Sequence, residues 1–259
     1  GLALALGVKP IAASRYGTAD AFPGILGDDT DGIVALGKNE SLDVETVVGL
    51  DPDLIVMTWY GDATTYDLVK HIAPTVRAGE FRDGWRADSR IAADALNRRD
   101  ALATVSADYD ARVDGILATL PASFRESRTA VLRFTKDAIR LQKRNACISS
   151  ILADHTLQVP DVEAGSGGIA TDFSVENIRD LDFPSLWIVS DGNADADAAV
   201  AEFLQSDLVQ GLQAVQNRTI FFVPQEYWIT LRGYMAARFV QDDLRRYLID
   251  GEPSPAFPA

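Results

Sequence analysis

The stretch Asp100-Ala-Leu-Ala-Thr-Val-Ser-Ala-Asp-Tyr-Asp-Ala-Arg-Val-Asp-Gly-Ile-Leu-Ala-Thr-Leu120 decides the fold. Leu102, Val105, Tyr109, Val113, Ile116, Leu117 and Leu120 recur at steps of three and four. That spacing puts side chains on one face of an α-helix. Few residues break the pattern before Pro121. It predicts one amphipathic helix of about 30 Å, at about 1.5 Å per residue. A mid-chain helix of that length can act as a rigid rod between two lobes.

On either side of it, short apolar strands alternate with amphipathic helices, the pattern of an α/β protein. Before it, strands are expected at 8–13, 53–58 and 75–78, with helices at 43–50 and 63–71. After it, a hairpin is expected at 129–135 and 138–142, turning at Lys136 and Asp137. A helix at 146–155, a strand at 185–190, a helix at 197–204, a strand at 219–223 and a helix at 234–249 follow. Pro253, Pro255 and Pro258 imply a loose tail. The chain divides accordingly into an N-terminal lobe at 1–98, a backbone helix at 99–120 and a C-terminal lobe at 121–259. A helix opens the chain and ends at Gly7, which implies that a strand precedes Gly1 in the intact protein.

One internal echo links the halves. Leu42-Asp-Val-Glu45-Thr-Val-Val-Gly-Leu50-Asp51 precedes a strand, and so does Phe173-Ser-Val-Glu176-Asn-Ile-Arg-Asp-Leu181-Asp182. In both, Glu is followed five residues later by Leu and then Asp. Any α/β protein repeats helix–strand units, but the matched Glu, Leu and Asp favour a duplicated lobe.

Composition narrows the function. The chain has 259 residues, 47% apolar and 24% charged, enough to bury a sizeable core. Its net charge of −14 repels phosphate backbones, so nucleic acid is not an expected partner. No apolar run reaches the ~18 residues of a membrane span. The single cysteine, Cys147, reads as a packed helix residue. His71 and His155 fall at helix ends, where the dipole favours them. Two such histidines do not make the His and carboxylate cluster of a metal receptor. Asp191-Gly-Asn193-Ala-Asp195-Ala-Asp197 with Glu202 imitates a calcium loop. Ala196 stands where the turn wants Gly, and the stretch reads instead as an acidic loop capping a helix. Gly165-Ser-Gly-Gly168 lacks the spacing of a phosphate loop or of a nucleophilic serine.

Several further fragments stand in order: Ala5-Leu-Gly-Val-Lys-Pro10, Leu50-Asp-Pro-Asp-Leu-Ile55, Ile72-Ala-Pro-Thr-Val76, Val131-Leu-Arg-Phe134, Ile139-Arg-Leu141, Ser150-Ile-Leu-Ala-Asp154 and Asp242-Asp-Leu-Arg-Arg-Tyr247. With the echo and the long helix, they resemble the helical-backbone class of substrate-binding proteins that serve siderophore, haem and cobalamin importers. The resemblance implies two Rossmann-like lobes joined by a single long helix, with ligand in the cleft between them. It implies a non-enzymatic, monomeric receptor with no cofactor of its own. Such a receptor takes up a ferric siderophore and hands it to the permease dimer of an ABC importer. It would work in the periplasm or lipid-anchored at the outer face of the cytoplasmic membrane. A haem or cobalamin receptor of the same class, or a small α/β enzyme, are the alternatives.

A ferric siderophore is a saturated iron complex, so its receptor needs aromatic walls and Arg or Tyr donors rather than metal ligands. In open α/β sheets ligands sit beyond the carboxyl ends of strands. The candidates there are Arg15, Tyr16, Trp59, Tyr60, Tyr227, Trp228 and Arg232, with Arg133 near the end of its strand. For each aromatic the alternative is a ring that caps a hydrophobic layer, and for Arg133 it is a salt bridge. Trp85 reads as packing at least as much as contact. Related receptors present one surface Glu per lobe to the permease; Glu45 and Glu176 match those positions, with Glu40 a neighbour in the first lobe.

Overall fold

A computed structural model describes residues 1–15, 21–38, 41–58, 63–78, 84–160 and 168–255. Its chain falls into two units: Gly1–Tyr109 with Thr230–Ala236, and Asp110–Ile229 with Ala237–Ala259.

Unit 1 contains α1 (Leu2–Ala5), β1 (Ala12–Arg15), β2 (Val34–Lys38), β3 (Ser41–Leu42), α2 (Val44–Gly49), β4 (Ile55–Thr58), α3 (Ala63–Val69), β5 (Thr75–Ala78), α4 (Gly84–Ala95) and the first half of α5 (Arg99–Thr119). Strand β2 pairs with β1 in parallel and with β3 antiparallel, and β4 pairs with β5 in parallel. The first strand starts later than 8–13 because Pro10 has no N–H to give a ladder. At Gly37, φ is +80° and a Cβ would lie 2.6 Å from the Ser41 carbonyl oxygen. The β2–β3 turn therefore needs glycine there. Helix α2 starts where Asp43 accepts from Thr46 N at 2.9 Å and from Thr46 Oγ1 at 2.6 Å.

Helix α5 covers the expected stretch, with Tyr109, Ile116 and Leu120 of its apolar stripe buried. Tyr109 packs on Trp85 of α4 with ring centroids 5.6 Å apart. Tyr234, from the late segment of unit 1, meets Trp85 at 4.8 Å and Tyr109 at 5.9 Å. All three contacts are edge-on, the geometry that ring quadrupoles favour. Trp85 is thus a buried packing residue.

Unit 2 contains β6 (Thr129–Phe134), β7 (Ile139–Gln142), α6 (Cys147–Asp154), β8 (Ala170–Phe173), a 3-10 helix at Val175–Leu181, β9 (Ser185–Ser190), α7 (Ala194–Gln205), α8 (Asp207–Gln210), α9 (Gln213–Gln216), β10 (Ile220–Phe222) and most of α10 (Tyr234–Leu244). One sheet runs in the order β10-β9-β6-β7-β8. Strands β10, β9 and β6 are parallel; β7 and β8 are antiparallel to their neighbours. Ser185–Val189 is buried throughout, the near-continuous apolar run of a strand covered on both faces. The expected hairpin turn forms, with Thr135 Oγ1 accepting from the amides of Asp137 and Ala138 at 3.3 and 3.1 Å.

Three details depart from expectation. The second echo segment is a 3-10 helix, capped by Ser174, rather than the α-helix seen at Val44–Gly49. Helix α7 starts at Ala194, earlier than 197, because Asn193 Oδ1 accepts from Ala196 N at 3.0 Å. The described part of the tail is tied down, since Ser254 Oγ accepts from Phe222 N at 2.8 Å on the outer strand β10. His155 follows α6 as expected but is fully buried, its Nδ1 2.7 Å from the Ile151 carbonyl oxygen. A carbonyl only accepts, so Nδ1 carries the hydrogen.

Candidate functional site

The parallel strands of unit 2 end together. In register, Phe134 of β6 lies beside Ser190 of β9, and Phe222 of β10 beside Ile188. The chain then leaves each strand in a loop, and polar side chains gather at these carboxyl ends. Arg133, next to last in β6, donates from Nε to Asp191 Oδ1 at 2.6 Å and from Nη2 to Asp191 Oδ2 at 2.8 Å. Gln225 Nε2 adds a bond to the same Oδ1 at 3.3 Å. Asp191 is held in place by its own backbone, whose N–H donates to the Phe134 carbonyl at 3.0 Å. The side chains of Arg133 and Asp191 are 16% and 17% exposed, so the pair is shielded yet reachable. A bidentate guanidinium–carboxylate fork is the strong and directional form of this interaction.

The row extends sideways. Arg133 is directly opposite Arg140 of β7, and Arg140 is opposite Asp172 of β8. Directly opposite residues share a sheet face, and like charges so placed repel. Asp191 offsets one guanidinium, and Asp172, 3.5 Å from Arg140 Nε, offsets the other. The row is electrically balanced, with its inner pair shielded and its outer pair more exposed.

Behind this edge lies a second polar centre. Asp243 of α10 is 6% exposed and accepts from Trp228 Nε1 at 2.8 Å and from the Tyr227 hydroxyl. Burial raises its pKa, and the two hydrogen bonds pull the other way. The Tyr227 phenol is pushed far up, first by burial and then by the charge of Asp243. Trp228 is 2% exposed and stacks on Trp187 at 4.7 Å. The expectation that Trp228 walls a ligand cleft is therefore corrected: the π-helical turn Glu226–Thr230 directs its indole into the core. Tyr227, half-buried, packs 5.3 Å from Phe239.

The other candidates are distributed as follows. Arg15 is the last residue of β1, half-buried, and Arg232 is half-buried; both belong to unit 1. Tyr16, Trp59, Tyr60 and Glu40 lie outside the described residues, as does most of Gly165–Gly168. Glu45 and Glu176 are both exposed, each in the first turn of its short helix. The acidic loop after β9 is engaged with protein partners: Asp191 with Arg133, Asn193 with its helix N-terminus and Asp197 with Ser190. Asp191, Gln225, Arg140 and Asp243 were not anticipated as a set. The loop position of Asp191 directly after a strand was the available signal.

The chain belongs to the periplasmic binding protein family, whose model matches residues 2–227. A probable siderophore-binding lipoprotein of Bacillus subtilis, YfiY, is 27% identical over 95% of this chain and 78% of its own length. Staphylococcus aureus SirA complexed with staphyloferrin B superposes with a TM-score of 0.83 at 21% identity, covering 95% of this chain and 88% of that one. Bacillus subtilis FeuA complexed with ferri-bacillibactin gives 0.80 at 17% identity, covering 97% and 88%. The two structural likenesses establish the α/β fold.

Proposed function

We propose that this protein is the extracytoplasmic receptor of an ABC importer and that it captures a ferric siderophore. The observation that carries the reading is the correspondence, over 95% of the chain, with a relative named as a probable siderophore-binding lipoprotein. The sheet edge of unit 2 is chemically suited to it, since a guanidinium donates well to the oxygens around a chelated iron. Arg15, Tyr16, Trp59, Tyr60, Tyr227 and Arg232 are further proposed ligand contacts by residue type. Capture needs no bond made or broken in the ligand, so the protein acts without catalysis. Titrating the protein with ferrichrome, ferric enterobactin and haem while following Trp fluorescence and the Soret band tests the reading. Saturable quenching by a ferric chelate is expected. A Soret shift with no response to either chelate would turn the reading to a haem receptor.

Delivery to a permease dimer is the second half of the proposal. Glu45 and Glu176 hold matching first-turn positions behind Asp43 and Ser174, one in each unit. Exposed carboxylates on separate rigid segments set docking register more than affinity. Replacing both by Ala should leave chelate binding unchanged and abolish uptake in a reconstituted transporter. Normal uptake by the folded double variant would discard the assignment.

A further inference from the structure

We propose that Asp191 is a charge filter: it biases the carboxyl-end site of unit 2 against negatively charged chelates and towards uncharged ones. The inference rests on the siderophore reading and deepens it. Both fork oxygens of Asp191 are occupied by Arg133, and Gln225 adds a third hydrogen bond to one of them. Paired with Asp191 in this way, Arg133 offers a ligand no net positive charge. The neighbouring Arg140 is balanced in the same way by Asp172. An anionic chelate entering here meets a shielded carboxylate fixed by its own backbone bond to Phe134. A ferric trihydroxamate, whose ligands cancel the ferric charge, meets no such repulsion, and its oxygens can share the guanidinium with Asp191. A ferric tricatecholate keeps a large negative charge and must approach Asp191 or displace it. With Arg133 already neutralised by Asp191, no attraction offsets the cost of bringing that charge to the site, and in a shielded setting this difference counts for more than in water.

The test is a ratio, which separates charge selection from a general loss of structure. Dissociation constants for ferrichrome (uncharged) and ferric enterobactin (anionic) are measured by Trp quenching in the wild type and in Asp191→Asn. The amide keeps the shape and removes the charge. The affinity ratio should shift towards ferric enterobactin by roughly tenfold or more, the scale of a shielded unit charge at close range. Asp172→Asn removes an equal charge at a site 79% exposed, and should shift the ratio much less. Asp191→Ser supplies the same measurement if the amide disturbs folding, which the melting temperature of each variant checks. An unchanged ratio in folded Asp191 variants, or an equal shift in Asp172→Asn, overturns the proposal. Failure of the wild type to bind either chelate strikes instead at the siderophore reading on which it rests.

Discussion

The two aromatic clusters of the molecule are made of similar parts and differ in where they put charge. In unit 1, Trp85, Tyr109 and Tyr234 meet edge to face, and the cation lies on the ring faces, with the Arg86 guanidinium 4.4 Å from Trp85 and 5.1 Å from Tyr109. In unit 2, Trp187 stacks on Trp228 and Phe221 on Tyr247, at interplanar angles of 27° and 21°. There the charged group is inside, as Asp243 receives the Trp228 indole. A half-buried guanidinium over a ring keeps part of its hydration, whereas a carboxylate buried behind rings has exchanged water for two donors. The first cluster should be indifferent to pH, and the second should titrate.

That contrast can be broken at four points. Trp228→Ala should cost the most, about 3–5 kcal/mol in urea unfolding, because it opens a cavity and strips a donor from Asp243. A loss below about 1 kcal/mol would put the indole back at the surface. Trp85→Ala should follow at about 3 kcal/mol, since it opens a cavity but leaves no carboxylate short of a donor.

Asp243→Asn sharpens the comparison through pH. The folded pKa of Asp243 is raised, so its contribution is fully present below the unfolded value of about 4 and is lost as pH rises through the folded one. The variant should therefore gain on the wild type as pH rises from about 4 to about 8. Unfolding curves at the two pH values check the sign; an advantage that shrinks as pH rises contradicts it. Smallest of all, Arg86→Ala should cost about 0.5–1 kcal/mol, equally at both pH values.

The long helix was legible because its apolar stripe repeats over many turns, and β9 because five consecutive buried residues can be little else. The hairpin at Lys136–Asp137 announced itself through two flanking strands. Helix α4 was not among the expected elements, since its buried face is built from the small residues Ser89, Ala92 and Ala93 beside one Trp. The site was less readable than the fold. Arg133 and Asp191 are 58 residues apart, and only the parallel pairing of β6 with β9 joins them. Tyr227 and Trp228 are adjacent in sequence and equally aromatic. Which of them turns inward depends on one π-helical turn, a backbone irregularity that no periodicity encodes.

The hydroxyl of Ser254 has a meaning beyond its single bond. Strand β10 is the outer member of the five-stranded sheet, and an outer strand presents amide groups on which a foreign strand can build. By accepting from Phe222 N, the tail occupies one rung of that ladder and crosses it with a proline on either side of Ser254. Proline has no N–H with which to continue pairing, so the segment caps the sheet without extending it. What reads in the sequence as a trailing end thus covers an outer-strand amide on which a foreign strand could otherwise build.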